Sequence, residues 1–145
     1  YDPGVTNVNF ECPRFELDWG SETEQGEKLL SFVNILAICH TIIVEKKNGE
    51  LFYNASSPDE LALTNAARHF GITFEERDED SFMVIRNSLT NEVKKYELLN
   101  IIEFTSSRKR MSVVVRTPEN KIIIMTKGAD SIIIPRLASG QEDLI

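Results

Sequence analysis

A chain of 145 residues has room for one domain around one buried core. Its 41% hydrophobic and 27% charged residues describe an ordinary soluble globular protein and exclude disorder over most of the length. A net charge of −7 argues against nucleic acid or anionic lipid as a bulk partner.

In chain order, residues 1–22 contain Pro3, Gly4, Pro13 and Gly20 and read as an incoming linker or strand. They show no signal peptide or anchoring motif, and the absence of a leading methionine fits a piece of a larger protein. Over 24–39 the apolar positions Leu29, Leu30, Phe32, Val33, Leu36 and Ala37 recur at helical spacing. The apolar run 29–44 is interrupted by Ser31, Asn34, His40 and Thr41 and falls short of the roughly 20 residues of a membrane span. It reads as a buried helix running into a buried strand. Residues 41–47 and 50–55 are strand-like, and Asn48-Gly49 between them is a two-residue hairpin signal.

Ser57-Pro58-Asp59-Glu60 predicts a helix start. Ser57 caps the free amides, Pro58 suits the first helical position, and Glu60 reaches back to close a capping box. Leu63, Ala66, Ala67 and Phe70 continue the helix to Gly71. The acidic run 75–80 is expected to be a solvated loop. Four strands follow over 82–87, 93–105, 111–117 and 121–126, with Pro118-Glu119-Asn120 as a turn. Val113-Val114-Val115 and Ile122-Ile123-Ile124 are apolar on both faces and predict central strands covered on two sides. Residues from Ala129 to Pro135 read as helical. The fold class is α+β: a mostly antiparallel sheet of about six strands with helices packed on it. The expected organisation is a linker or strand over 1–22, one folded domain over 23–137, and a frayed tail over 138–145.

The two cysteines, Cys12 and Cys39, are too few for a disulfide framework and favour a reducing, cytosolic compartment. His40 and His69 have no partners at metal-ligand spacing and read as structural or surface histidines. No phosphate-binding G-x-x-x-x-G-K-[ST] loop and no nucleophile with its base is present, so no catalytic or metal residue is assigned. Charge is nonetheless uneven. Arg108, Lys109, Arg110, Arg116, Lys121 and Lys127 face the single acid Glu119, so this strip carries +5 and the remainder −12. Such a strip suits a small anion, or is a hairpin with solvated charges.

Three blocks become informative together: Ser56-Ser57-Pro58-Asp59-Glu60; Glu103-Phe104-Thr105-Ser106-Ser107-Arg108-Lys109-Arg110-Met111-Ser112-Val113; and Lys127-Gly128-Ala129-Asp130. Their order and spacing resemble the nucleotide-binding (N) domain of P-type ATPases, and their wording is closest to the type IV, phospholipid-flipping branch. The similarity runs from about Val8 to Leu137 and includes Ile38-Cys39-His40-Thr41. The resemblance implies an ATP site in which Phe104 stacks on adenine and Glu60 lies near the base's amino group. Lys109 and Lys127 line the base and phosphates, Ser106 belongs to the same loop, and Gly128 and Ala129 let the nucleotide approach the backbone.

The chemistry agrees with that division. A flat purine wants an aromatic plate, and a carboxylate accepts from adenine's amino group while repelling guanine's carbonyl. Structural alternatives stay open: Phe104 as core, Glu60 as a capping residue, Arg108-Lys109-Arg110 as a solvated turn, Lys127 as a strand-end lysine. So do two other functions, a cation-pump N domain and a protein-interaction module without a nucleotide.

The resemblance also implies what lies elsewhere. The family's Asp-Lys-Thr-Gly-Thr motif is absent from this chain, so the isolated domain is expected to be inactive and monomeric. Its expected partners are ATP and the phosphorylation and actuator domains of one parent polypeptide, with Mg2+ held mainly outside this domain. The parent is expected to be an integral membrane protein with this domain on the cytoplasmic face. The family's domain continues beyond Lys-Gly-Ala-Asp, so ATP binding here is expected to be weak.

Overall fold

The computed structural model describes residues 1–141, so of the tail expected over 138–145 the last four residues lie outside the described region. Four helices and seven strands follow in order: α1 (Pro13–Asp18), α2 (Glu24–Ile38), β1 (Ile43–Lys47), β2 (Glu50–Asn54), α3 (Pro58–His69), β3 (Ile72–Arg77), β4 (Phe82–Asn87), β5 (Glu92–Ile102), β6 (Arg110–Arg116), β7 (Ile122–Gly128) and α4 (Asp130–Ile133). A single 3-10 turn, Ile134–Arg136, follows α4. Strands β3 to β7 form a five-stranded antiparallel meander in sequence order, and β1 and β2 form a separate hairpin. This is the α+β class expected from the sequence.

Local chemistry explains the boundaries. Thr23 caps α2 by accepting from the Gly26 N–H at 3.1 Å, and Ser57 caps α3 by accepting from the Glu60 N–H at 3.2 Å. Asn48 and Gly49 both have positive φ, 52° and 80°, the geometry of the two-residue turn that matches strand twist.

Three expectations need correction. The acidic run does not begin as a loop, because Glu75, Glu76 and Arg77 complete β3. Ile72 and Phe74 alternate into the core while Glu75 faces out to pair with Arg86, so strand periodicity prevails over local acidity. Second, β7 is an edge strand, with Ile122 59% and Ile124 67% exposed. Among the described residues helices cover one face of the sheet, so Val113 and Val115 are buried and Val114 is half-buried. Third, residues 1–22 contain no strand. They carry α1, whose Phe15 joins Phe10 and Trp19, the residue after the helix, around Phe70, while Asp2 pairs with Arg68 at 2.9 Å.

The core lies between the sheet and α2–α3. Val33, Ala37 and Ile38 of α2 and Ala67 of α3 meet Ile72, Phe74, Met83, Ile85, Val113, Val115 and Met125. Burial of these side chains is the main favourable term, roughly 1.5–3 kcal/mol for each large one.

Candidate nucleotide site

Four segments converge where α2 ends, α3 begins and the β6–β7 ladder opens. Glu60 occupies the first turn of α3. Its backbone N–H bonds the Ser57 cap, but its carboxylate does not close the expected box. Instead Oε1 accepts from the Thr41 N–H at 2.7 Å, the Thr41 hydroxyl lies 3.2 and 3.1 Å from the two oxygens, and the Ser56 hydroxyl donates to Oε2 at 3.1 Å. The side chain is only 8% exposed. Burial opposes its charge, but the hydrogen bonds from Thr41, the nearby Lys127 and Ser56 outweigh burial and hold its pKa below the ordinary glutamate value.

Lys127 reaches toward this carboxylate from the end of β7, with Nζ 3.9 Å from Glu60 Oε1. Its partner across the ladder is Met111, a core residue, so Lys127 points to the helix-covered face. The side chain keeps 20% exposure, yet Nζ itself is shut off from solvent and makes no hydrogen bond among the described residues. Burial pulls the ammonium pKa down, and the nearby Cys39 and Glu60 side chains resist that fall. A buried cation without a hydrogen bond is costly and calls for an anionic or polar partner.

Phe104 lies in the loop of residues 103–109, between β5 and β6, with 61% of its surface exposed. The ring is therefore exposed on the loop and is not part of the core. The loop is held by its own polar groups: the Lys109 N–H donates to Thr105 O at 2.8 Å, and the Arg108 N–H to Thr105 Oγ1 at 3.1 Å. Arg108 Nη1 donates to the carbonyls of Ile102, Glu103 and Arg110 at 3.2, 2.9 and 3.3 Å. Arg108 therefore staples the loop, leaving Lys109 exposed with a left-handed backbone, φ 50°. Ser106 is exposed in the same loop.

The third block meets this loop directly. Arg110 pairs with Gly128, and the Ala129 N–H donates to Lys109 O at 3.1 Å. A Cβ on Gly128 would come within 2.6 Å of the Lys109 carbonyl oxygen and of Arg110 Cβ. The glycine is thus required by the close approach of this chain's own backbone. The basic strip divides in the fold. Arg116 pairs with Ile122 at the opposite end of the ladder, six strand residues or about 20 Å from Arg110. Arg116 is also neutralised by Glu97 at 2.8 Å. Only Arg108, Lys109, Arg110 and Lys127 gather at the Phe104 end.

The structure therefore joins Glu60 with Lys127, and joins the Phe104–Lys109 loop with Gly128 and Ala129. Sequence reasoning missed Thr41 and Ser56 as partners of Glu60. For Thr41 the only available signal was the Ile38-Cys39-His40-Thr41 block, because a hydroxyl's partner 19 residues away leaves no local pattern, whereas Ser56 lies four residues before Glu60 in the first block. His40 is structural. Its Nδ1 accepts from the Ile42 N–H at 3.1 Å and its Nε2 donates to Ala37 O at 2.7 Å. A cavity of about 330 Å3 between β1 and β3, lined by Ile42, Val44, Lys46, Glu75 and Arg77 among others, includes none of the candidate residues. Among the described residues no cluster of His, Cys, Asp and Glu is arranged to hold a metal, and no helix is long and apolar enough to cross a membrane.

Comparison with known proteins places this arrangement. The family profile described as P-type ATPase, cytoplasmic domain N, matches residues 28–139. The chain is 44% identical over 124 residues to Phospholipid-transporting ATPase IK of Mus musculus, covering 86% of this chain and 9% of that protein. It is 42% identical over 147 residues to Phospholipid-transporting ATPase 6 of Arabidopsis thaliana, covering 97% of this chain and 12% of that protein. Against Phospholipid-transporting ATPase IC of Homo sapiens the identity is 47% over 106 residues, 73% of this chain and 8% of that protein. The chain spans about a tenth of the length of these relatives. With the profile matching most of its length, the chain belongs to the family of P-type ATPase cytoplasmic N domains.

Proposed function

We propose that this domain binds ATP by its adenine end and presents the γ-phosphate to a catalytic aspartate in a separate domain of a phospholipid-translocating P-type ATPase. The observation that carries the reading is Phe104: a large aromatic ring left in solvent, on a loop fixed by its own hydrogen bonds. Stacking a base on such a ring is worth roughly 1–3 kcal/mol. Lys127 and Lys109 provide cations for the base and phosphate side, and Glu60 provides an acceptor for the amino group. Ser106, Gly128 and Ala129 complete the lining of the site.

The relatives named phospholipid-transporting ATPases support the lipid branch for the parent protein. In that parent the phosphorylation and actuator domains are the partners, and this domain works, as a monomeric unit, on the cytoplasmic face of the membrane. Holding the base and leaving the phosphates to project is catalysis by orientation. The donor set here does not fit Mg2+: Glu60 is occupied by Thr41 and Ser56 and faces an ammonium group at 3.9 Å. The ion that shields the phosphates is held by the other domain.

Amide NMR during ATP titration tests the reading. Shifts gathered on Glu60, Phe104, Lys109 and Lys127, saturating near 1 mM (about −4 kcal/mol), are expected. Scattered or absent shifts would contradict ATP binding, and sub-micromolar affinity would contradict the weak-binding expectation.

A further inference from the structure

We infer that Thr41 is a positioning residue: it fixes the Glu60 carboxylate in place and thereby sets the site's preference for a base carrying an exocyclic amino group over one carrying a carbonyl. The inference rests on the nucleotide-binding reading and extends it to a residue outside the three motif blocks. Its basis is the hydrogen-bond geometry at Glu60.

An ionised carboxylate has about four acceptor positions. Three protons of this chain converge on Glu60: the Thr41 N–H at 2.7 Å, the Thr41 hydroxyl lying between both oxygens at 3.2 and 3.1 Å, and the Ser56 hydroxyl at 3.1 Å. About one acceptor position remains. A carboxylate held this way is fixed in direction and acts only as an acceptor. It takes a hydrogen bond from an amino group and repels a carbonyl oxygen. A protonated carboxyl would lose the distinction, because its O–H donates to a carbonyl as readily as its second oxygen accepts from an amine. Burial pushes Glu60 toward that neutral form, and the two Thr41 contacts oppose it.

Thr41 is itself held by the turn that ends α2. Buried His40 bridges this turn, donating from Nε2 to Ala37 O and accepting from the Ile42 N–H at Nδ1. Thr41 lies between these two anchors, so its N–H and hydroxyl are presented together to α3. The Cys39-His40-Thr41 segment is thus the brace behind the acceptor, and Ser56 steadies the second oxygen from the other side.

The test compares ATP and GTP affinities, by NMR titration, in the wild-type domain, Thr41→Val and Thr41→Ser. Valine removes the hydroxyl and keeps the backbone N–H, and serine keeps both donors. The ATP-over-GTP preference should fall about fivefold in Thr41→Val, equivalent to about 1 kcal/mol, and return to within about twofold of wild type in Thr41→Ser. A merely structural role would move the melting temperature without moving the ratio. An unchanged ratio in folded Thr41→Val, or equal loss in both variants, would overturn the inference while leaving ATP binding intact. Absence of saturable ATP binding by the wild-type domain would instead remove the nucleotide reading beneath it. If Thr41→Val does not fold, the same ratio read in Thr41→Ala decides: a fall of about fivefold supports the brace, and an unchanged ratio overturns it.

Discussion

Acidification should destabilise this domain through one side chain, His40, before its carboxylates titrate. The imidazole is 2% exposed, with its ring 4.5 Å from that of Phe74. Its only vacant proton position, Nδ1, already faces the Ile42 N–H. Burial is the main reason its pKa falls from 6.5 to about 4, and the Ala37 carbonyl resists the fall while Lys127 adds to it. Between these two values the unfolded chain binds a proton that the folded chain refuses. Stability is therefore present above pH 6.5 and lost as pH falls toward 4. At 1.36 kcal/mol per unit the full loss is about 3 kcal/mol, of which about 2 kcal/mol is reached by pH 5. Against a typical domain stability of about 5–15 kcal/mol that is readily measured. Urea unfolding of wild type and His40→Asn, followed by the fluorescence of Trp19 at pH 7, 6 and 5, isolates the effect, since His69 is common to both. Asparagine retains an acceptor for the Ile42 N–H and does not titrate. The wild type should lose stability across the series, and His40→Asn, weaker at pH 7, should hold level. Parallel pH profiles in the two proteins would refute the argument.

Other perturbations probe the Phe104 end of the sheet. Gly128→Ala forces a methyl group against the Lys109 carbonyl and should cost about 1–3 kcal/mol of stability; an unchanged melting temperature would contradict the close approach. Lys109→Gly relieves a left-handed backbone worth about 1 kcal/mol and removes the cation proposed for the phosphate side. It should raise thermal stability while weakening ATP binding, and parallel changes in the two readouts would speak against the assignment. If the cations gathered at this end act on the phosphates as proposed, raising salt should weaken ATP binding more than adenosine binding. Equal salt sensitivity of the two ligands would rule out that guidance.

Much of the fold is legible because its signals are local. Asn48-Gly49 forces a hairpin, and Ser57-Pro58 starts α3 where the cap chemistry says it must. Strand β4 and the β6–β7 hairpin follow from their apolar runs and the turn between them. Strand β3 was hidden because only Ile72 and Phe74 mark its inner face before the acids begin, and a short alternation is outweighed by a run of charge. The edge position of β7 is a property of the whole sheet, since Ile122 and Ile124 have the same composition whether covered or bare. In the site, Phe104 was legible as an aromatic only through its motif, and its exposure emerges from the 103–109 loop. Of Glu60's true partners, Thr41 is brought to it by tertiary packing of α2 against α3, while Ser56 lies four residues before it at the start of α3.

The central claim is that Phe104 is a ligand-facing plate, and Phe104→Ala tests it when ATP affinity and folding stability are measured on the same sample. The account predicts affinity weakened by about 1–3 kcal/mol, roughly 5- to 150-fold. It also predicts a stability loss well below the roughly 3–5 kcal/mol that truncating a buried phenylalanine costs. Unchanged ATP affinity, or a loss of folding stability as large as that of a core residue, would contradict it.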